Sequence, residues 1–211
     1  MSLSRTGLLS TVADRGLSKS GIGLVLLIAL LVVAPAADCT SEQLNGSFLI
    51  ASQKLTDPRF RESVILVLQD GPTGSVGLIV NKPLTITLNH AFAGLPEGVD
   101  MTQPLYFGGP VNPNVAWVLY SGGAEFKIAS LEIVPGVFVA DAVQFSTAVN
   151  NATGIMPIRF LSGYAGWAPG QLAMELQRGD WKVQKARASD IFDGSPESLW
   201  DYLVGAGRVE I

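Results

Sequence analysis

A single histidine, His90, and a single cysteine, Cys39, restrict the chemistry open to this 211-residue chain. One cysteine closes no intrachain disulfide, and the pair is too few for a Cys/His zinc site. Histidine is a common general base, so His90 is a candidate for that role. However, no nucleophile or orienting carboxylate is identifiable for it, and no G-x-S-x-G elbow occurs in the chain. A structural or surface histidine is the favoured reading. Asp57, Arg59, Arg61 and Glu62 form a second group, close enough in sequence for an ion-pair cluster or a polar ligand site. Asp57 before Pro58 is also the usual arrangement of a turn cap. Arg178, Lys182, Lys185 and Arg187 surround Trp181 as a small basic-aromatic patch, which on a strand reads first as a solvated face. Arg178-Gly179-Asp180 reads as a helix stop.

The most distinctive run is Gly163 to Leu172 (GYAGWAPGQL), read as a glycine-rich bend that feeds a helix N-terminus. Backbone N–H groups at such a junction attract anions or carboxylates. The glycines lack both the Lys-Ser/Thr of a P-loop and the G-x-G-x-x-G spacing, and Pro169 removes a donor. Tight backbone packing is therefore favoured over a ligand site. Gly108-Gly109-Pro110 carries the same ambiguity between close approach of another segment and a strand-ending turn. The turn is favoured there.

The elements that must position these residues follow from pattern and punctuation. Residues 48–51 read as a first strand, and 63–68 (SVILVL) and 76–80 (VGLIV) as a hairpin around GPTGS. Near-continuous apolarity implies cover on both faces of that hairpin. Residues 85–92 fit a short helix or a strand. Further strands are expected at 105–107, 116–120, 127–133, 137–140, 158–161 and 181–186. Helices are expected at 141–149, with Asp141 as N-cap and Val143, Phe145 and Val149 apolar, and from Pro169 to a stop at Gly179, with Leu172 and Leu176 on one face. A last helix starts at Ser195-Pro196-Glu197, with Leu199, Tyr202 and Leu203 inward. Strands dominate without regular β-α alternation, so the class is α+β.

Composition narrows the partners. Lys and Arg number 14 and Asp and Glu 18, and the first 36 residues hold Arg5, Arg15 and Lys19 against Asp14. The remainder therefore carries 11 basic and 17 acidic side chains, a net −6. Such a domain lacks the electrostatic footprint for a phosphate backbone, which disfavours nucleic acid as partner. No residue pattern calls for a cofactor or a metal.

Residues 21–37 (GIGLVLLIALLVVAPAA) are uncharged and follow a polar, basic n-region at 1–20. They fall slightly short of a comfortable span of about 20 residues, and Ala34-Pro35-Ala36 supplies an A-x-A cleavage pattern. A cleaved signal peptide is the leading reading, ahead of an uncleaved anchor, a lipoprotein at Cys39 and a buried core helix. The first three place the domain outside the cytoplasm, periplasmic or anchored in the inner membrane through residues 21–37. Residues 38–45 read as a spacer, and one domain spans 46–207.

Several segments carry a resemblance: GSFLIAS from Gly46, TDPRF from Thr56, SVGLIVNKP from Ser75, LYFGGPV from Leu105, GYAGWAPGQL from Gly163, GDW from Gly179 and PESLW from Pro196. In this order they closely resemble the YqgE/AlgH family of bacterial proteins, over essentially Gly46 to Ala206. The resemblance implies a mostly antiparallel sheet, bent and bifurcated into a pseudo-barrel with flanking helices. It implies no reaction and no catalytic residues. The AlgH name implies a regulatory link to alginate production, which an acidic domain would not readily provide by binding DNA. Family members usually begin near the GSFLIAS strand and are expected in the cytoplasm, so the leader is a departure from the pattern.

Matching positions here are Asp57, Pro58, Asn81, Lys82, Pro83, Gly108, Gly109, Tyr164, Gly166, Trp167, Pro169, Gly170 and Gln171. Most of them shape backbone. Asn81, Lys82, Tyr164, Trp167 and Gln171 would line a shared pocket if the NKP and GYAGW motifs meet. The expected function is a non-enzymatic binding or regulatory module acting on a protein partner or a small anionic ligand. The alternatives are a metal-independent hydrolase using Asp57, Lys82 or His90, and a structural domain of the cell envelope.

Overall fold

The computed structural model describes residues 43–92, 95, 99–122, 130–148 and 157–206. All of them belong to one compact unit, Ser41–Ile211. The apolar segment 21–37, Cys39, residues 127–129 and Val149 lie outside the described residues.

β1 (Ser47–Ala51) and the hairpin of β2 (Val64–Gly71) and β3 (Gly74–Ile79) lie side by side in the sheet. Alternate residues of β1 and β2 enter two different core clusters. Phe48, Ile50, Val64 and Leu66 face one, while Leu49, Ala51, Ile65 and Val67 face the other. The continuous apolar runs of these strands thus reflect cover on both faces. Each such fully buried large side chain contributes about 1.5–3 kcal/mol.

Residues 85–92 divide between the two readings: β4 (Pro83–Thr87) is a strand and α1 (Leu88–Ala91) one helical turn. β5 (Pro104–Phe107), β6 (Val111–Ser121), β7 (Leu131–Val134) and β8 (Val137–Asp141) follow. In α2 (Ala142–Ala148) the Asp141 carboxylate accepts from the N–H groups of Val143 and Gln144 at 2.8 and 3.2 Å, as an N-cap should. Phe145 is fully buried, but Val143 is 73% exposed, because a helix this short turns only one narrow stripe to the core.

β9 (Ile158–Trp167) branches the sheet. Its first part pairs with β6 and, in parallel, with β5, while Ala165–Trp167 pair with β3. The strand order is β10-β1-β2-β3-β9-β6-β8-β7, with β4 and β5 off this path. The other pairs are antiparallel. No ladder closes the sheet among the described residues, yet it bends far enough to set Gly46 against the backbone of Ile133. The glycine-rich bend expected at 163–167 is strand instead. Gly163, at φ +71°, marks a register shift at which β6 loops out between Val111 and Ala116.

α3 (Gln171–Arg178) starts two residues after Pro169, with Gly170 at φ +76° as its N-cap, so Pro169 belongs to the turn. The stop at Gly179 takes the expected left-handed form, and its N–H reaches the Leu176 carbonyl at 3.0 Å. β10 (Trp181–Lys185) follows, then α4 (Ala188–Phe192), which sequence periodicity did not reveal. Arg187 and Asp190 hold α4 by two hydrogen bonds of 2.9 Å. A 3-10 turn (Pro196–Ser198) leads into α5 (Leu199–Ala206). Leu199 and Leu203 are buried as expected, whereas Tyr202 is 56% exposed. The Trp200 indole donates to the Ala51 carbonyl at 2.7 Å and pins the C-terminal segment to β1.

Candidate functional site

The NKP segment and the TDPRF loop build one wall each of an open cleft of about 600 Å³. Pro58, Arg59, Arg61, Glu62, Asn81, Lys82, Pro83, Leu84, Phe107 and Glu197 line it. Asp57 folds the loop by accepting from the Arg59 backbone at 2.9 Å and from its guanidinium at 2.7 Å. These bonds from Arg59 hold the Asp57 carboxyl below the usual range. The cap and ion-pair readings of Asp57 therefore both describe it.

Asn81 is 5% exposed, and its amide is spent within the fold. Its Oδ1 accepts from the Val64 N–H at 2.7 Å, and its Nδ2 donates to the Glu62 carbonyl at 2.9 Å. Between these anchors Glu62 sits at φ +56°, a left-handed conformation that costs a side-chain-bearing residue about 1–2 kcal/mol. The rim of the cleft is thus strained and held in place by Asn81. Lys82 is half-buried and donates to the Arg59 carbonyl at 3.0 Å. Burial lowers its pKa from the ordinary lysine value, against the opposing pull of Glu62.

Behind the cleft lies Arg159, only 5% exposed. Its guanidinium donates to the Val80 carbonyl at 2.7 Å and stacks 4.9 Å from the centre of the Tyr106 ring. Burial pushes Tyr106 above the usual phenol range. Glu197 is held below the usual carboxylate range by its bond from Ser195, at 2.6 Å, by its own backbone and by the Arg159 charge.

Tyr164, Trp167 and Gln171 are absent from the lining of this cleft. The structure brings together Asn81, Lys82, Pro58 and Pro83 but does not add the GYAGW side chains to them. Trp167 and Trp181 both donate their indole N–H to Glu175 Oε2 at 2.8 Å, and their rings meet edge to face at 6.2 Å. Gln171 donates to Glu175 Oε1 at 2.9 Å and accepts from the Ala168 N–H at 3.1 Å. Tyr164 packs against the first core cluster. This network braces α3 against the sheet. Glu175→Ala, which removes the acceptor of three donors, is expected to cost about 2–3 kcal/mol in urea unfolding. A loss below about 0.5 kcal/mol would show the network to be idle.

The two glycine motifs meet backbone to backbone. A Cβ on Gly108 would lie 2.4 Å from the Gly163 carbonyl oxygen, and one on Gly109 would lie 2.1 Å from the Tyr164 carbonyl carbon. Gly108-Gly109 is therefore a close approach rather than a simple turn.

His90 lies elsewhere, with its Nδ1 2.9 Å from the Thr87 hydroxyl, and nothing described links it to the cleft. Among the described residues, no group of three or more His, Cys, Asp or Glu side chains could hold a metal. Sequence reasoning missed Phe107, Glu197 and Arg159. Arg159 did leave a signal, a lone charge within the apolar strand Ile158–Leu161.

An open, branched, mostly antiparallel sheet with flanking helices defines the class of protein as α+β. The sequence profile of the AlgH-like family matches residues 48–210, and the chain belongs to that family. It is 35% identical over 163 residues to a UPF0301 protein of Chlorobaculum tepidum, covering 75% of this chain and 84% of the relative. A UPF0301 protein of Methylococcus capsulatus is 36% identical, with 74% and 87% covered. The solution structure of the AlgH protein from Pseudomonas aeruginosa superposes with a TM-score of 0.63 at 27% identity, covering 81% of this chain and 91% of that one. A crystal structure from Corynebacterium diphtheriae shares the fold, with a TM-score of 0.62 at 24% identity over 76% of this chain and 85% of that one.

Proposed function

We propose that the domain is a non-enzymatic binding module that takes a small anionic ligand in the cleft between the Pro58–Glu62 loop and the Asn81–Leu84 segment. The observation that carries this reading is the half-buried Lys82 ammonium beside a strained rim that Asn81 holds in place. Desolvated cations attract anions more strongly than solvated ones, and strain kept at a rim is a feature of binding sites.

Lys82→Gln is expected to weaken anion binding at least tenfold, as read by titration calorimetry, with stability changed by less than about 1 kcal/mol. The lowered pKa sets the pH dependence. Of the cations that line the cleft, Lys82 is the one that can lose its charge, since Arg59 and Arg61 stay protonated, so affinity falls as pH rises through a value below the ordinary lysine range. Affinity that stays flat through that range, or survives in Lys82→Gln, would show that Lys82 does not hold the anion.

We also infer that residues 21–37 export or anchor the domain, so that its ligand is met in the envelope. Among the described residues no helix is long and apolar enough to cross a membrane. Cell fractionation with N-terminal sequencing is expected to find either a chain beginning at Ala37 outside the cytoplasm or intact chain in membranes. Intact chain in the cytosol would defeat export.

A further inference from the structure

Apolar groups make up much of the cleft. Pro58, Pro83, Leu84 and Phe107 line it beside the ammonium, and Leu84 is 37% exposed although apolar. A small hydrated anion uses the cation alone, whereas an acid with an apolar body would also cover these surfaces.

Glu197 supplies the second restriction. It arrives from the far end of the chain, and its position is set by the buried Leu199 and Leu203 and by the Trp200 bond to Ala51. The Ser195 hydroxyl orients its carboxylate at 2.6 Å. No salt bridge to Glu197 forms among the described residues, and the charges that act on Lys82 are Glu62, Arg61 and Asp57. Glu197 therefore stands at the cleft as a negative charge with no salt bridge, balanced only at longer range by the buried Arg159.

Building on the anion-site reading, we propose that the cleft takes amphipathic monoanions, organic acids with one carboxylate on an apolar body, and that Glu197 excludes anions of higher charge. For charges about 10 Å apart at an effective dielectric of about 40, each additional ligand charge costs about fourfold in affinity.

The test titrates the full chain with 4-phenylbutyrate, acetate and phenylsuccinate at neutral pH, followed by calorimetry and by amide shifts at Lys82 and Phe107. Phenylbutyrate is expected to bind at least tenfold more tightly than acetate and severalfold more tightly than the dianionic phenylsuccinate. Glu197→Gln should narrow the gap between phenylbutyrate and phenylsuccinate about fourfold. Equal binding of phenylbutyrate and acetate, or a gap unchanged in Glu197→Gln, overturns the inference while shifts at Lys82 leave the anion site standing. If none of the three acids perturbs Lys82, both fail.

Discussion

Gly109→Ala is expected to destabilise the domain by about 4 kcal/mol or more. The added Cβ would sit 2.1 Å from the carbonyl carbon of Tyr164, 2.3 Å from its oxygen and 2.4 Å from the Ala165 nitrogen. All three are backbone atoms in β9, the strand that branches the sheet, so no side chain can swing aside. The crossing is tight from both sides, since a Cβ on Gly163 would lie 2.3 Å from the Gly109 oxygen. Relief requires β5 and β9 to part, which breaks their parallel pairing at Tyr106 and Phe107. Most domains have only about 5–15 kcal/mol to lose. Gly136→Ala provides the control: its φ is +77°, yet open space surrounds the new methyl, so only the backbone cost of about 1–2 kcal/mol applies. Urea unfolding of the two variants measures the difference. If Gly109→Ala costs no more than Gly136→Ala, the close approach does not constrain the fold.

Asn81→Ala is expected to cost about 3 kcal/mol and to abolish anion binding. Two backbone groups lose their partners, the buried Val64 N–H at the start of β2 and the part-buried Glu62 carbonyl. Each unsatisfied group costs about 1–3 kcal/mol, offset partly by release of the left-handed Glu62. Once released, Glu62 and Arg61 no longer hold the rim in shape. Comparison with Lys82→Gln separates positioning from contact. Lys82→Gln should lose binding with stability nearly intact, whereas Asn81→Ala should lose both. Glu62→Gly sharpens the test, because it removes the backbone strain and should stabilise the domain by about 1 kcal/mol. Asn81→Ala with unchanged binding would mean that the rim geometry is irrelevant to the ligand.

Much of the fold was legible in the residues. The β2–β3 hairpin, the Asp141 cap and the Gly179 stop follow from local chemistry, since apolar runs, a capping carboxylate and a left-handed glycine act within a few residues. The α+β class followed from the order of such elements. Misreadings came where a long-range contact overrode a local signal. Gly163 to Trp167 look like a bend, but pairing with β3 and β6 keeps them extended. Tyr202 fits a helical stripe, yet α5 is anchored by Leu199, Leu203 and the Trp200 indole instead.

The candidate site divides in the same way. From the residues alone GYAGW stood out, the family resemblance added NKP, one histidine and one cysteine left little catalytic inventory, and a basic stretch with an uncharged apolar run preceded an acidic remainder. It took the folded chain to show that Trp167 and Gln171 bond to Glu175, while Lys82 shares a cleft with Phe107 and Glu197. The physical reason is distance along the chain. Glu197 and Lys82 are brought to one cleft by burial of Leu199 and Leu203 and by a hydrogen bond from Trp200 to Ala51, and no local pattern encodes which remote backbone a side chain will meet.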